Sequence, residues 1–534
     1  MTDTATHTSP WSPLKITTFR YLWLATLVSN IGTWMHEVGA GWLMSELTTS
    51  AVLVSLMQTA TALPAFFILL PSGALSDILD RRLYLLGANL GMAAVAVTLG
   101  VLTISGLINE WSLLGLTLCL GIGTALIMPT WQSIIPEVVP RTELKGAIGL
   151  NTLGMNVSRV LGSLIAGGII AVAGSGVVFI CNALTFIFII GVLVKWRRIA
   201  PDTRLPPERF LSAIKTGLRY TRHSPALQST IFRSIGFYFF ASVMWALLPL
   251  IARELLQGNE LTYSSLFAAI SVGAIGSALL LPRFRLYLNN DQLITSAALV
   301  FAAGIVVTAT VPIHLVALIA LFFCGGAWIT VMTSAQLSAQ TALPNWVRSR
   351  GISVFLTCFM GSLAIGPVVW GGIADLTDLP TAMIIASTGL AIASFYTRRW
   401  PVSGNEAMDH TPSGHWRIPE PVTDIDPHQG PVMITIRYEV DDQNLAEFLR
   451  LMELLGKSRK RDGAFVWGIM QDTTVPGVYL EYYLIESWLD HLRQHERISR
   501  QDAAIQHQIR SLLVADTAPV ITHYVKPLKD AWSQ

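Results

Sequence analysis

Charge is what this sequence has least of. Asp, Glu, Lys and Arg make up only 13% of its 534 residues, about half the share of an ordinary soluble domain. That excludes a chain that is soluble throughout, because too little charge remains to cover its surface. A net charge of +2 says nothing about nucleic acid. Cysteine is as scarce. Cys119, Cys181, Cys324 and Cys358 are the whole complement; each sits in an apolar run and none has metal-ligand spacing. They are expected to be small packing residues, not disulfides or ligands. No secretory leader is expected, since "MTDTATHTSPWSPLK" has no charged start followed by an apolar core.

What the sequence has is apolar length. Hydrophobic residues reach 52% and mean hydropathy is +0.53. Stretches of bilayer-crossing length, about 20 residues, recur near 19–44, 51–75, 84–105, 111–134, 144–173, 176–196, 227–253, 262–282, 291–311, 313–342, 351–373 and 380–398. Twelve spans follow, and the remaining charge is uneven, with 26 of the 70 charged residues inside 431–534. The expected domains are a six-helix half at 1–196, a connection at 197–226, a second half at 227–398, a linker at 399–430 and a soluble domain at 431–534.

Basic residues alternate between loops. Lys15 and Arg20 precede span 1, Arg81 and Arg82 follow span 2, and Arg283, Arg285, Arg348, Arg350, Arg398 and Arg399 follow later even-numbered spans. The opposite loops carry Glu46, Glu110, Glu260, Asp375 and Asp378. By the positive-inside rule both termini are expected in the cytoplasm.

An internal repeat gives the architecture. Pro140 matches Pro344, Gly162 matches Gly366, and Gly167-Gly168 match Gly371-Gly372, all 204 residues apart. Two parallel six-helix halves of this kind place a substrate site at the midplane between them. "NIGTWMHEVGAGWLM" (30–44) in span 1 then stands out, because His36 and Glu37 interrupt an apolar run. At 100° per residue Asn30, Trp34, Glu37 and Gly41 form one stripe, with Thr33 and His36 beside it. Glu37 lies ~25 Å along the helix from Arg20 at 1.5 Å per residue, too deep to reach an interface. A wet cavity between the halves is the expected setting, with Glu37 or His36 exchanging protons as substrate binds. Arg159 lies ~18 Å into span 5 and is read either as a substrate or coupling contact or as an interhelical partner, Glu37 included. Arg233, near one end of span 7, is expected to snorkel to the cytoplasmic surface. The aromatic residues Phe237, Tyr238, Phe240 and Trp245 are candidates for an apolar substrate path.

The tail reads strand 432–440, helix 443–460, strands 464–471 and 477–486, helices within 487–513, and strand 519–526. That βαββαβ order fits a ferredoxin-like α+β sandwich. His491 and His495, four apart, share a helix face, with Trp467 and Trp488 as neighbours that could complete a pocket.

"GALSDILDRR" (73–82) resembles the loop signature of the major facilitator superfamily, matched by Gly73, Asp77, Arg81 and Arg82, with Asp80 where the family usually has glycine. "SNIGTWMHEVGAGWLMSELTTSAVLVSL" and "MPTWQSIIPEVVPRTELKGAIGLN" are similar to its drug- and siderophore-exporting branch, the transmembrane secretion effectors that include the enterobactin exporter. The likeness covers roughly residues 10–400. It implies an all-α polytopic major facilitator fold in a bacterial cytoplasmic membrane, and a gating role for Asp77 and the two arginines. "NVSRVLGSLIAGG" resembles the antiporter motif through Gly162, Gly167 and Gly168, with Ser163 in place of its proline. Gly366-Pro367 keeps that proline. Many exporters of the superfamily carry an aspartate where Thr33 stands, so the coupling group here is displaced or absent. "ESWLDHLRQHERISRQD" resembles the antibiotic-biosynthesis-monooxygenase type of domain, whose members often pair. That leaves the tail as a regulatory or dimerising domain, an enzyme, or a haem or metal site.

The favoured reading is a proton-coupled exporter of a bulky, partly apolar small molecule of the drug or siderophore class, working by alternating access. It needs a lipid bilayer but no cofactor, metal or nucleic acid, has no catalytic residues, and allows dimerisation through the tail. The other reading is a membrane-tethered monooxygenase-like enzyme or ligand sensor, with the activity in the tail.

Overall fold

The computed structural model describes residues 11–140, 142–196, 210–344, 346–402, 425–514 and 519–527. The first half supplies α1 (Thr17–Leu47), α2 (Ala51–Ile78), α3 (Arg81–Ile104), α4 (Glu110–Val138), α5 (Leu144–Ala173) and α6 (Ser175–Lys195). A shorter helix, α7 (Phe210–His223), precedes α8 (Pro225–Leu250), α9 (Glu260–Phe284), α10 (Asn290–Thr310), α11 (His314–Thr341), α12 (Arg348–Leu376) and α13 (Leu379–Tyr396). Each long helix overlaps one expected span. Among the described residues eleven helices are long and apolar enough to cross a membrane. The twelfth, α1, is diluted by Asn30, His36, Glu37 and Glu46, yet it packs along both α5 and α6 as part of the bundle.

Local chemistry sets the helix ends. Asn109, Asn259 and Asn289 cap α4, α9 and α10 through reciprocal bonds with Ser112, Thr262 and Gln292, which satisfies amides that a helix start would leave orphaned. Between α5 and α6 the chain turns on Gly174 alone, at φ +80°, a conformation open to glycine and strained for other residues. Asp80 caps α3, accepting from the Leu83 amide at 3.0 Å. This gives a reason for an aspartate where the resemblance leads one to expect glycine.

The chain forms two compact units. In the first, which holds most of the long helices, the sequence repeat reappears as a repeat of contacts. A Cβ on Gly162 would stand 2.7 Å from the Ile31 carbonyl oxygen of α1; one on Gly366 would stand 2.8 Å from the Phe239 carbonyl oxygen of α8. Gly167 abuts Ser264 of α9, and Gly371 abuts Ser55 of α2. The fifth helix of each half therefore lays a glycine against the second helix of the other half, at the end remote from Arg20. The α9–α11 crossing is closer still: a Cβ on Gly273 or Gly325 would fall 1.8 Å from a backbone oxygen of the facing helix. Small residues buried at crossings and large ones such as Leu164, Leu279, Phe323 and Ile392 exposed outside are the pattern of helices packed within lipid.

Arg233 does not snorkel. It is buried and turns into the second half, where it pairs with Asp291 of α10 and donates to Thr295 Oγ1 at 2.8 Å. The carboxylate at the start of α10 is within reach, so an inward ion pair replaces the excursion to the surface. The four cysteines are free; Cys324 is buried and Cys119 is exposed.

The second unit joins α7, the turn between α11 and α12, and a C-terminal domain. That domain comprises β1 (Val432–Glu439), α14 (Leu445–Asp462), β2 (Val466–Gln471), β3 (Val478–Ile485), α15 (Trp488–Arg497), α16 (Arg500–Ser511) and β4 (Val520–Val525). The sheet is antiparallel in the order β2-β3-β1-β4, the ferredoxin-like arrangement that the element order implies. Alternation along β1 buries Val432, Ile434, Ile436 and Tyr438 beneath the helices. Tyr220 of α7 ties the unit together: its ring meets Trp346 edge-on, its hydroxyl donates to the Ala342 carbonyl at 3.4 Å, and the Arg461 guanidinium lies 5.9 Å from its centroid. Arg461 is fixed in turn by Asp462 at 3.0 Å and Asp502 at 2.6 Å.

Candidate functional site

The site is assembled from helix faces. Glu37, Ala40 and Gly41 of α1 line a small cavity between the halves, opposite Val54, Met57, Gln58 and Thr61 of α2. Both sets follow helical spacing, i, i+3, i+4 and i, i+3, i+4, i+7, so each is one face of its helix. Thr117 of α4, Trp245, Ala246 and Pro249 of α8, and Tyr263 of α9 complete the wall. Glu37 is the one carboxylate among these lining residues. Two other polar atoms there, Thr117 Oγ1 and Trp245 Nε1, are buried without a hydrogen-bond partner. Buried polar groups are rarely left so, and with Glu37 they form a set of groups available to a bound molecule or water.

Aromatic rings surround this set. Trp34 meets Phe267 at 5.9 Å, Phe267 meets Trp245 at 5.5 Å, and Trp245 meets Trp328 at 5.5 Å. Trp42 stacks on Tyr263 at 6.1 Å. Such surfaces hold flat or bulky apolar groups by contact area. Beyond Pro249 the helix widens into a π turn, Ile251–Leu255, a distortion frequent near functional sites.

The other sequence candidates are spread around this centre. His36 points away from it into the first half, against Phe179 at 5.3 Å, with both ring nitrogens buried and unpartnered. Thr33 Oγ1 donates to the Ser29 carbonyl at 3.0 Å, and Asn30 is half-buried. Neither lines the cavity. The Arg159 guanidinium lies 5.6 Å over Trp34 and reaches Asn156 Oδ1 at 3.4 Å, while its Nε is buried without a partner. No ion pair joins it to Glu37. Trp34 therefore stands between the cation of α5 and the cavity's aromatic wall.

At the other end of the bundle, Arg82 donates from Nε to the Leu193 carbonyl at 2.8 Å and from Nη2 to the Val194 carbonyl. It caps the last turn of α6 with a cation, where the helix carries its negative pole. Arg81 opens α3; the side chains of Gly73 and Asp77 lie outside the described residues. Gly162, Gly167 and Gly366 sit at close crossings, whereas Gly168 faces open space and Pro367 lies within α12.

Sequence reasoning missed Gln58, Thr61, Thr117 and Tyr263. The stripe on α2 was available as spacing, but nothing in the sequence said which face of α2 met the other half. Of the aromatic candidates, Trp245 lines the cavity. Phe237 and Tyr238 instead pack with Trp328 inside the second half, and Phe240 packs against Trp370.

In the C-terminal domain His491, buried on α15, lies 4.8 Å from both the His495 and the His523 rings and 5.4 Å from Trp488. Trp467 belongs elsewhere, donating to Glu481 at 3.0 Å. Among the described residues no group of three or more His, Cys, Asp or Glu is placed to hold a metal ion. Burial, followed by the charges of His523, His495 and Arg459, pushes the His491 imidazole down to about 3. A histidine whose affinity for protons is lower folded than unfolded contributes stability that is complete above about pH 6.5 and is lost as pH falls toward 3. The domain should therefore be about 2 kcal/mol less stable at pH 5 than at pH 7.5. Limited proteolysis of the wild type and a His491→Phe variant at both pH values checks this: the variant should lose most of the difference.

The family model described as transmembrane secretion effector matches residues 8–530. A multidrug efflux pump, Tap, of Mycolicibacterium fortuitum is 24% identical over 381 residues, covering 68% of this chain and 90% of its own. The staphyloferrin A transporter of Staphylococcus aureus is 22% identical over 369 residues, covering 67% and 89%. Macrolide efflux protein A of Streptococcus pyogenes is 22% identical over 303 residues, covering 55% and 73%. Among solved structures, a bacterial homolog of the human lysosomal transporter Spinster, inward-facing and unoccupied, superposes with a TM-score of 0.58 at 15% identity, covering 72% of this chain and 97% of its own. An auto-inhibited peptide transporter of the POT family gives 0.60 at 12% identity, covering 77% and 99%. Fold and relatives are those of transporters, not enzymes, and the chain belongs to the transmembrane secretion effector family of the major facilitator transporters.

Proposed function

We propose that the chain exports a bulky, partly apolar small molecule from the cytoplasm by proton-coupled alternating access, with Glu37 as the proton-linked group. The observation that carries this is a single carboxylate in an aromatic cavity between two halves that meet at the far end. The clustering of arginines at the opposite end supports a cytoplasmic location for that end and, with it, for both termini. The conformation is then closed to the outside. The names of the relatives, which speak of macrolides, multiple drugs and a siderophore, support an export direction and a large substrate. The aromatic wall and unpartnered donors suit a molecule with rings and a few polar groups. Flux of a macrolide and of a siderophore in proteoliposomes, with and without a pH gradient, is the test. Flux indifferent to the gradient overturns proton coupling, and no flux of either overturns the substrate class.

A second copy of the chain is the proposed partner of the C-terminal domain. Met470, Leu480, Val520 and Tyr524 are exposed on the sheet face that the helices leave open, and an apolar patch of this kind is characteristic of an interface. A monomeric mass in detergent at micromolar concentration would rule the pairing out.

A further inference from the structure

At the far end of the bundle one carboxylate joins the two halves. Asp375, in the last turn of α12, accepts from Ser50 Oγ at 2.8 Å, from the Ala51 amide at 2.5 Å and from the Val52 amide at 3.2 Å. Ser50 is the N-cap of α2 and itself accepts from the Leu53 amide at 3.4 Å. The first-turn amides of α2 are therefore satisfied partly by a residue of the opposite half. An N-terminus is also where a helix best accommodates negative charge.

The repeat makes this asymmetric. The position 204 residues earlier, on α5, is Ala171, which has no carboxylate. The helix facing α5, α9, is capped by its own Asn259 and Thr262. The bond network is thus not a by-product of pseudo-symmetry; it occurs at one of two equivalent crossings. It also acts on a wall of the cavity, because Val54, Met57, Gln58 and Thr61 continue down the same helix. The neighbouring contacts along α2 and α12, Ser55 on Gly371 and Thr59 Oγ1 donating to the Ala364 carbonyl at 2.8 Å, tie the same two helices together.

We propose that Asp375 is the latch of the outer gate: it caps α2 while the cavity is closed to the outside and releases it when the halves part there. This rests on the alternating-access reading above and adds its regulation. Water can replace the lost bonds at that exposed end, so the latch biases the equilibrium without locking it.

The test reads conformation and not transport. In a background with the four native cysteines replaced, Gln58→Cys places a thiol in the cavity. Its labelling by a membrane-impermeant maleimide added outside right-side-out vesicles reports opening of the far end. Asp375→Asn should raise that rate about fivefold to tenfold, the effect of losing a good cap, while labelling from the inside falls. An unchanged outside rate in the folded variant overturns the latch, as does a lower melting temperature without any change in labelling. Should Asp375→Asn not fold, Ser50→Ala removes one of the three bonds and should raise the rate by a smaller factor; no rise overturns the proposal equally. Labelling needs neither substrate nor gradient. Expected labelling of the variants beside a wild-type chain that moves no substrate sinks the export reading and leaves the latch standing.

Discussion

A Glu37→Gln variant reconstituted in proteoliposomes is expected to lose accumulation of substrate against its gradient while still letting substrate equilibrate. Glutamine keeps the shape of the side chain and its ability to hydrogen-bond but cannot take up or release a proton. An exchanger that trades one proton per substrate across a difference of about 2 pH units sustains roughly a hundredfold concentration ratio, since each unit is worth about 1.36 kcal/mol. In the variant that ratio should collapse to about one. The argument is positional: among the described residues Glu37 is the sole carboxylate lining the cavity, and its neighbour His36 faces Phe179 in the interior of the first half. His36→Gln should therefore retain most of the ratio. The opposite pair of results would move proton coupling from the cavity to the helix packing behind it.

Much of this site was legible in the sequence because a membrane makes polarity expensive. Glu37 stood out because a carboxylate within an apolar run needs a reason, and helical periodicity alone pointed it and Gly41 toward the same side. The repeat was legible for a related cause: close helix crossings admit only small residues, so Gly162 and Gly366 recur at one spacing. Residues facing the cavity from the other elements were not. Thr61, Thr117 and Tyr263 are ordinary in membrane helices, and their facing is fixed by partners far away in sequence. Arg233 was misplaced for the same reason, since its partner Asp291 lies on a helix 58 residues further along. Asp80 looked like a departure from a motif and proves to be a helix cap, a role set by its own next three residues.

The soluble domain was legible as element order and much less so as chemistry, and its most consequential residue is one that the sequence did not flag. Glu481 sits mid-strand in "VYLEYYLI", where alternation buries it beside Tyr479 and Tyr483. It accepts from Arg459 Nε at 3.0 Å, Trp467 Nε1 at 3.0 Å and the Tyr438 hydroxyl at 2.7 Å, with no exposure of its own. Arg459 is also buried, its guanidinium 4.8 Å from the Tyr483 centroid. Removing one partner of such a pair leaves the other charge out of water and costs about 3–5 kcal/mol. The two partners should not be equivalent. Glu481→Gln leaves a buried guanidinium that cannot shed its proton and has lost its carboxylate, so the larger loss is expected. Arg459→Met leaves a carboxylate that keeps two neutral donors, Trp467 Nε1 and the Tyr438 hydroxyl, so the loss should be clearly smaller. Hydrogen exchange of the β1 and β3 amides at fixed pH, in the full chain, reads the opening free energy directly. Equal losses in the two variants would mean that packing around Arg459, and not the stranded charge, holds the sheet together.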